Sequence, residues 1–340
     1  MTDTSRATAP QRHTKPSGPR EERGTWREAG LGFTGIGHYY PRTVVHNEGD
    51  VTLDGRTFPA EAAESLGVRS RHVADDEETL EYMAVRAGQA ALAKAGREAE
   101  EMDLVVLANW TDRQWIPEIG PAVAHSIGAR RALAFDVCGA CTGFVHAIQT
   151  ASALLTAHPG WRRALIIAGD RFSRRARPAT RSRLVFGDAA GAVVLEKGRE
   201  GHGGLIDSVL DCDATEADNV AARPPEGWLR PRPELIGLAV RSSLQVAEHL
   251  LERNGMAASD IDWLVPHPGN NDIHAGVRDG LGLPTRKFLT NFAERGNTGC
   301  ASIPIALSEF SESGVLKTGD TVLSTAVGSG WYYGGLVYQL

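Results

Sequence analysis

The chain repeats itself, and that constrains its fold more than any single motif. Glu101-Met-Asp-Leu-Val-Val-Leu-Ala108 is echoed by Asp260-Ile-Asp-Trp-Leu-Val-Pro-His267. Cys141-Thr-Gly-Phe-Val-His-Ala-Ile-Gln-Thr-Ala151 is echoed by Asn297-Thr-Gly-Cys-Ala-Ser-Ile-Pro-Ile-Ala-Leu307, and Arg162-Arg-Ala-Leu-Ile-Ile-Ala-Gly169 by Gly319-Asp-Thr-Val-Leu-Ser-Thr-Ala326. The separation stays at 156 to 160 residues. A near-constant offset across strand, helix and strand marks an internal duplication. The block Asp103 to Asn109 reads as a strand apolar on both faces, as a strand of a parallel sheet covered by helices must be. The expectation is an α/β chain of two similar halves, residues 29–198 and 199–340. A leader, residues 1–28, precedes them; it is rich in Arg, Pro, Thr and Ser, has no apolar segment, and reads as disordered rather than secretory.

Within the first half, Leu133 to Val137 reads as the end of a buried strand, and Phe144, Ile148, Ala151 and Leu155 share one face of a following helix. Cys141 falls where the strand becomes the helix. The partial positive charge of a helix N-terminus is expected to favour the thiolate and lower its pKa. Small neighbours, Gly139 and Ala140, leave room for a carbonyl to approach the sulfur. A buried structural cysteine is the competing reading. Cys138-Gly-Ala-Cys141 also has the spacing of a redox pair or half a metal site. Cys212 and Cys300 stand alone, however, so the expected metal ligand set is none.

The duplication brings in two further side chains. His267 closes a strand in the second half, and ligands gather at the carboxyl ends of strands in open α/β sheets. Asn297 begins a block matching that of Cys141, which makes the two residues expected pseudo-twofold mates. Their alternatives are a loop histidine and a helix N-cap. Near the C-terminus, Ala326-Val-Gly-Ser-Gly-Trp331 follows a buried strand. Its glycines permit a tight turn whose backbone N–H groups, at Ser329 for one, can serve as an oxyanion hole, or simply turn a hairpin.

Elsewhere, His38 to Glu64 reads as irregular. Thr79 to Gly96 reads as a helix that buries Tyr82, Ala87, Ala90, Ala91 and Leu92. Arg171 to Arg183 reads as a loop with six arginines. Arg181 and Arg183 are candidates for contact with a phosphate, which arginine suits, and the alternative is a solvated charge run. A net charge of −6 argues against a general nucleic-acid binder. No apolar run approaches a membrane span, and four cysteines without a framework pattern suit a reducing cytoplasm.

From about Leu31 to Leu340 the chain resembles the thiolase superfamily, and within it the β-ketoacyl-acyl carrier protein synthase III branch. The resemblance rests on Phe135-Asp-Val-Cys-Gly-Ala-Cys-Thr-Gly-Phe144, Phe186-Gly-Asp-Ala-Ala-Gly-Ala-Val193, Leu264-Val-Pro-His267 with Asn270, Gly296-Asn-Thr298 with Ala301-Ser302, and the C-terminal glycine-rich turn. It implies a five-layer αβαβα fold from two duplicated halves, a cytoplasmic homodimer, and acyl-CoA or acyl carrier protein thioesters as substrates, with no metal or redox cofactor. It implies Cys141 as the acyl-accepting nucleophile, His267 and Asn297 as its partners, the Ser329 backbone as part of an oxyanion hole, and Asn270 beside the substrate. The implied reaction is a ping-pong decarboxylative condensation with a malonyl thioester. The chain departs from the family at Pro268-Gly269 after the histidine, at Asp272 where an arginine is usual, at Ser329, and in Asn47 to Leu66, where the tryptophan and arginine that clamp coenzyme A have no match. These departures point to a specialised member, in polyketide or fatty-acid-like biosynthesis. The competing functions are an acyltransferase that passes the acyl group to a hydroxyl or amine, and a non-catalytic partner subunit of a heteromeric pair.

Overall fold

The computed structural model describes residues 26–198 and 204–340. Most of the expected leader lies outside the described residues. Its last part does not: Trp26–Ala29 forms a 3-10 turn, anchored by the Trp26 indole donating to Ser208 Oγ at 2.7 Å.

The first half comprises β1 (Leu31–Tyr39), β2 (Thr43–His46), β3 (Val51–Leu53), β4 (Arg56–Phe58), α1 (Ala60–Glu64), β5 (Ser70–Val73), α2 (Leu80–Ala95), β6 (Leu104–Ala108), α3 (Ile119–Ile127), β7 (Leu133–Val137), α4 (Gly143–Ala157), β8 (Arg163–Arg171) and β9 (Asp188–Lys197). The second comprises β10 (Gly204–Cys212), β11 (Val220–Ala222), β12 (Leu229–Pro231), α5 (Leu235–Arg253), β13 (Trp263–Leu264), α6 (Asn271–Gly280), α7 (Phe292–Arg295), α8 (Ser302–Glu312), β14 (Thr321–Gly328) and β15 (Tyr332–Gln339).

The duplication is visible in the sheets. One runs β1-β9-β8-β6-β7, the other β10-β15-β14-β13. In each, the first two neighbouring pairs are antiparallel and the next is parallel. The position of β7 is held in the second sheet by a lone parallel bridge, Leu264 to Phe288.

Alternation along the strands builds five layers. Leu104, Val106, Ile166, Ala326 and Leu336 point inward onto α4 and α8, which fill the space between the sheets. Val105, Leu107, Leu165 and Ile167 point the other way, onto α2 and α3. Leu264, Leu323 and Val337 point onto α5 and α6. The middle helices must therefore be apolar nearly all round, and in α8 every residue from Ser302 to Ser308 is buried. The helix ends follow local chemistry: Thr79 Oγ1 caps α2 by accepting from Tyr82 N at 3.1 Å, and Gly96 closes it in the left-handed region at φ 63°.

Three expectations fail. The strand Leu133–Val137 is not buried: it lies at the edge of its sheet, with Leu133 exposed and the other four residues half-buried. Tyr82 is exposed, because its position faces away from the sheet covered by Met83, Ala84 and Ala87. The stretch His38 to Glu64 is not irregular: β2 pairs with β5, and β3 with β4, in two small antiparallel ribbons.

Candidate active site

A cavity of about 450 Å³ opens where the two sheets end, lined mostly by apolar groups. Cys141, His267, Asn297, Asn270 and Ser329 all line it. The fold thus brings the expected thiol, imidazole and carboxamide to one place, from three different segments.

Cys141 lies in a 3-10 turn, Ala140–Thr142, between β7 and α4. The turn is sharp because Ala140 holds a left-handed backbone, φ 46°, which a residue with a Cβ adopts only when its surroundings enforce it. Thr142 clasps the turn from inside, its hydroxyl donating to Gly139 O at 2.6 Å. Burial pushes the Cys141 thiol well up, and the nearby Asp170 carboxylate pushes the same way; the turn's own N–H opposes them without prevailing. The expected helix-terminus lowering is therefore outweighed by desolvation, and the resting group is a thiol.

His267 follows β13, its backbone N–H bonded to Thr325 O at 2.8 Å, so the residue rides along β14. The side chain is buried and Nδ1 has no protein partner. Burial lowers its pKa to about 4, against a smaller upward pull from the Gly299 carbonyl. At neutral pH it is an uncharged imidazole.

Asn297 is fixed at four points. Its backbone N–H donates to Val185 O at 2.8 Å, and its carbonyl accepts from Gly187 N at 3.0 Å. Its Oδ1 accepts from Gly299 N at 2.9 Å, and Nδ2 donates to Gly269 O at 3.0 Å. Asn297 is not a helix N-cap, since Thr298 precedes the 3-10 turn and Ala301 precedes α8; its oxygen closes a short turn onto Gly299, and its carboxamide, anchored through one N–H, keeps a second N–H beside the cavity.

Backbone dihedrals correct the expected symmetry. The turn at Cys141 is matched by the turn Gly299–Ala301, in which Gly299 takes the left-handed place of Ala140 and Cys300 the place of Cys141. The mate of Cys141 is Cys300; Asn297 stands three residues upstream. Cys300 is buried, its thiol directed to Ala108 O at 3.3 Å and its N–H to Asp170 Oδ2 at 2.9 Å.

The end of β14 presses on the Cys141 turn: a Cβ on Gly328 would sit 3.1 Å from Cys141 N and 3.0 Å from Thr142 N. Ser329 is next along, and its hydroxyl donates to Val220 O, tying the turn to β11. Asn270 lines the cavity but spends Oδ1 on capping α6, accepting from Ile273 N at 2.9 Å.

Arg181 and Arg183 do not line the cavity. Arg181 donates to Ala62 O at 3.0 Å and to Ser65 Oγ; Arg183 pairs with Asp54 at 2.9 Å and donates to Ser173 O. The arginine loop is two 3-10 turns, Phe172–Arg175 and Arg181–Leu184. Both arginines brace the β3–β4 ribbon and α1 against it.

The sequence reading missed much of the wall. Trp110, Phe172 and Phe186 form one face, with Trp110 edge-on to Phe172 at 5.4 Å and Phe172 stacked on Phe186 at 4.2 Å. The β11–β12 hairpin supplies Val220, Ala222, Leu229 and Pro231. Trp110 had a usable signal, since it stands two residues beyond a buried strand's carboxyl end; the hairpin had none. Cys138 is an exposed free thiol on the same lining. Among the described residues, no group of three His, Cys, Asp or Glu side chains is arranged to hold a metal.

Residues 251–340 match the model for the C-terminal part of 3-oxoacyl-[acyl-carrier-protein] synthase III, and residues 135–214 match the model for 3-oxoacyl-[acyl-carrier-protein] synthase III. A β-ketoacyl-[acyl-carrier-protein] synthase III of Ruegeria pomeroyi is 37% identical over 318 residues, covering 90% of this chain and 97% of its own. The chain belongs to the synthase III family. The crystal structure of a family member from Pseudomonas aeruginosa PAO1 superposes with a TM-score of 0.83 at 36% identity, covering 91% of this chain and 98% of that one. The priming β-ketosynthase of the R1128 polyketide biosynthetic pathway does so with a TM-score of 0.82 at 30% identity, covering 91% and 96%. This synthase III chain therefore has the thiolase-like architecture and belongs to a family of condensing transferases. No helix among the described residues is long and apolar enough to cross a membrane.

Proposed function

We propose that Cys141 is acylated by a thioester and that the acyl group then condenses with a malonyl thioester. In the first half-reaction the sulfur attacks the acyl carbonyl and the thiol proton leaves with the departing thiolate. The Cys141 N–H and the backbone at Ser329 hold the oxyanion, helped by the close approach of Gly328. In the second, the malonyl carboxylate leaves as carbon dioxide, and its electron pair forms an enolate whose oxygen takes hydrogen bonds from His267 and Asn297. The carbanion attacks the acyl-cysteine carbonyl, and Cys141 leaves as a thiolate that takes a proton from water.

One observation carries this reading. A thiol, an imidazole and a carboxamide line a single, mainly apolar cavity, and the imidazole is neutral. A neutral imidazole with a pKa near 4 suits hydrogen-bond donation to an enolate better than general-base activation of a hydroxyl, which favours condensation over simple acyl transfer. The intact set speaks against a non-catalytic partner subunit. The apolar cavity and the similarity to a polyketide-priming ketosynthase support a specialised fatty-acid-like or polyketide role. A homodimer is supported by β7, the outermost strand of its sheet, where Leu133 is exposed. With Arg181 and Arg183 paired within the chain, the carrier of the thioester is left to other contacts.

The test is mass spectrometry after incubation with acyl thioesters on coenzyme A and on carrier protein, followed by malonyl thioester. An adduct on Cys141 and release of carbon dioxide are expected. An adduct without carbon dioxide would assign transfer instead.

A further inference from the structure

One wall of the cavity has no core of its own. The β11–β12 hairpin supplies Val220, Ala222, Leu229 and Pro231 to the lining. Each of its strands is three residues long, and among the described residues they pair only with each other. None of the strand residues is fully buried. A two-stranded ribbon standing alone is marginally stable, so what it rests on decides where it lies.

Part of its support is local. Arg232 N donates to Asn219 O at 2.8 Å and closes the base of the hairpin, and Asn219 N donates to Glu216 O at 2.9 Å. Another bond reaches the reacting centre: the Ser329 hydroxyl donates to Val220 O. Ser329 follows Gly328, whose close approach to Cys141 N sets the proposed oxyanion site. The hairpin therefore starts one side chain away from the reacting carbonyl. The serine is one of this chain's departures from its family, and a glycine there would have no hydroxyl to give. An alkyl chain lying on Val220, Ala222, Leu229 and Pro231 removes their apolar surface from water and steadies the ribbon. An acetyl group, which ends at its first methyl, cannot span that wall.

We infer that Ser329 is a positioning residue that couples acyl length to loading: a chain that fills the hairpin wall steadies, through the Ser329 hydroxyl, the backbone that holds the oxyanion. The inference rests on the condensing reading and names its acyl substrate class, linear aliphatic chains long enough to cover the hairpin in preference to acetyl.

The experiment measures the rate of Cys141 acylation by intact-protein mass spectrometry, with octanoyl and acetyl each presented on coenzyme A and on carrier protein. Octanoyl is expected to load about tenfold or more faster than acetyl. Ser329→Ala removes the hydroxyl and keeps the backbone N–H, and the octanoyl-to-acetyl ratio should fall roughly threefold to tenfold, as loss of one hydrogen bond allows. A general weakening of the oxyanion site slows both chains and cancels in the ratio. Leu229→Ala trims the wall while leaving the Ser329 bond in place, and should lower the same ratio; it carries the test if the serine variant does not fold. Hydrogen exchange over residues 220–231 should quicken in unacylated Ser329→Ala and slow in the octanoyl form of the native chain. Acetyl loading as fast as octanoyl overturns the inference, and so does a ratio that survives either substitution. No loading of Cys141 by either chain on either carrier instead brings down the condensing reading.

Discussion

The turns at Cys141 and Cys300 are built alike and used differently. Each is a 3-10 turn leading into a central helix; the residue before each has ψ 24°, and the next is left-handed, Ala140 at 46° and Gly299 at 62°. The first turn presents its thiol to the cavity, whereas the second buries its thiol against Ala108 and leaves the cavity to Asn297, three residues earlier. Asp170 accounts for part of the difference. Its carboxylate accepts the Cys300 N–H and lies so close to Gly299 that a Cβ there would fall within bonding range of Oδ2. The second turn is locked to β8. The first is held by its own Thr142 and by the end of β14 rather than by a carboxylate, and it opens on the cavity. A duplicated scaffold thus gives two equivalent backbone sites, and packing decides which one can do chemistry.

The sharpest way to break this comparison is to remove each sulfur. Cys141→Ala should abolish acyl-adduct formation and lower condensation by at least about 10⁴-fold. Cys300→Ala should still acylate Cys141 at near the native rate, with stability reduced by about 1–2 kcal/mol for the small void. An adduct on Cys300 in the Cys141→Ala protein would end the asymmetry. Next in size are the donors. His267→Ala and Asn297→Ala should each slow carbon dioxide release about 10²- to 10³-fold while acyl loading continues. If loading falls in parallel with decarboxylation, the two residues act on the nucleophile instead.

A backbone change probes the lock itself. Gly299→Ala places a methyl against the Asp170 carboxylate in a left-handed conformation, and should cost about 3 kcal/mol in a denaturant titration. A cost below about 1 kcal/mol would show that Asp170 does not fix the second turn.

The duplication was legible because strand and helix blocks recur in the same order at a near-constant offset, and the matching sheets bear it out. His267 could be singled out because it closes such a strand, and Cys141 and Asn297 because each begins one of two matching blocks. The register was not legible. Aligning Cys141-Thr-Gly with Asn297-Thr-Gly matched letters, whereas backbone geometry matches Ala140-Cys141 with Gly299-Cys300. Side-chain identity had drifted between the copies while the turn had not. The charge state was equally hidden, because a helix start suggests thiolate and only the packed structure shows how strongly burial opposes it. The β11–β12 hairpin escaped because Gly201 to Pro233 has no period to read, yet it supplies four residues of the cavity wall.

The smallest expected effect concerns how ready each thiol is. Burial first and Asp170 second hold Cys141 in its protonated form, so a neutral alkylating reagent should label it about tenfold more slowly at pH 7 than the exposed Cys138, with a rate still climbing above pH 9. Cys300, raised by burial and by the same carboxylate, should resist labelling until the chain unfolds. His267, held near 4, stays neutral from pH 8 down to 5, so protonation of this ring should leave carbon dioxide release unchanged over that span. Peptide mapping of the labelled sites and a pH profile of decarboxylation check both. A labelling rate that levels off near pH 7 would mean that the turn stabilises a thiolate after all, and a decarboxylation midpoint near 6.5 would mean that the imidazole is solvated.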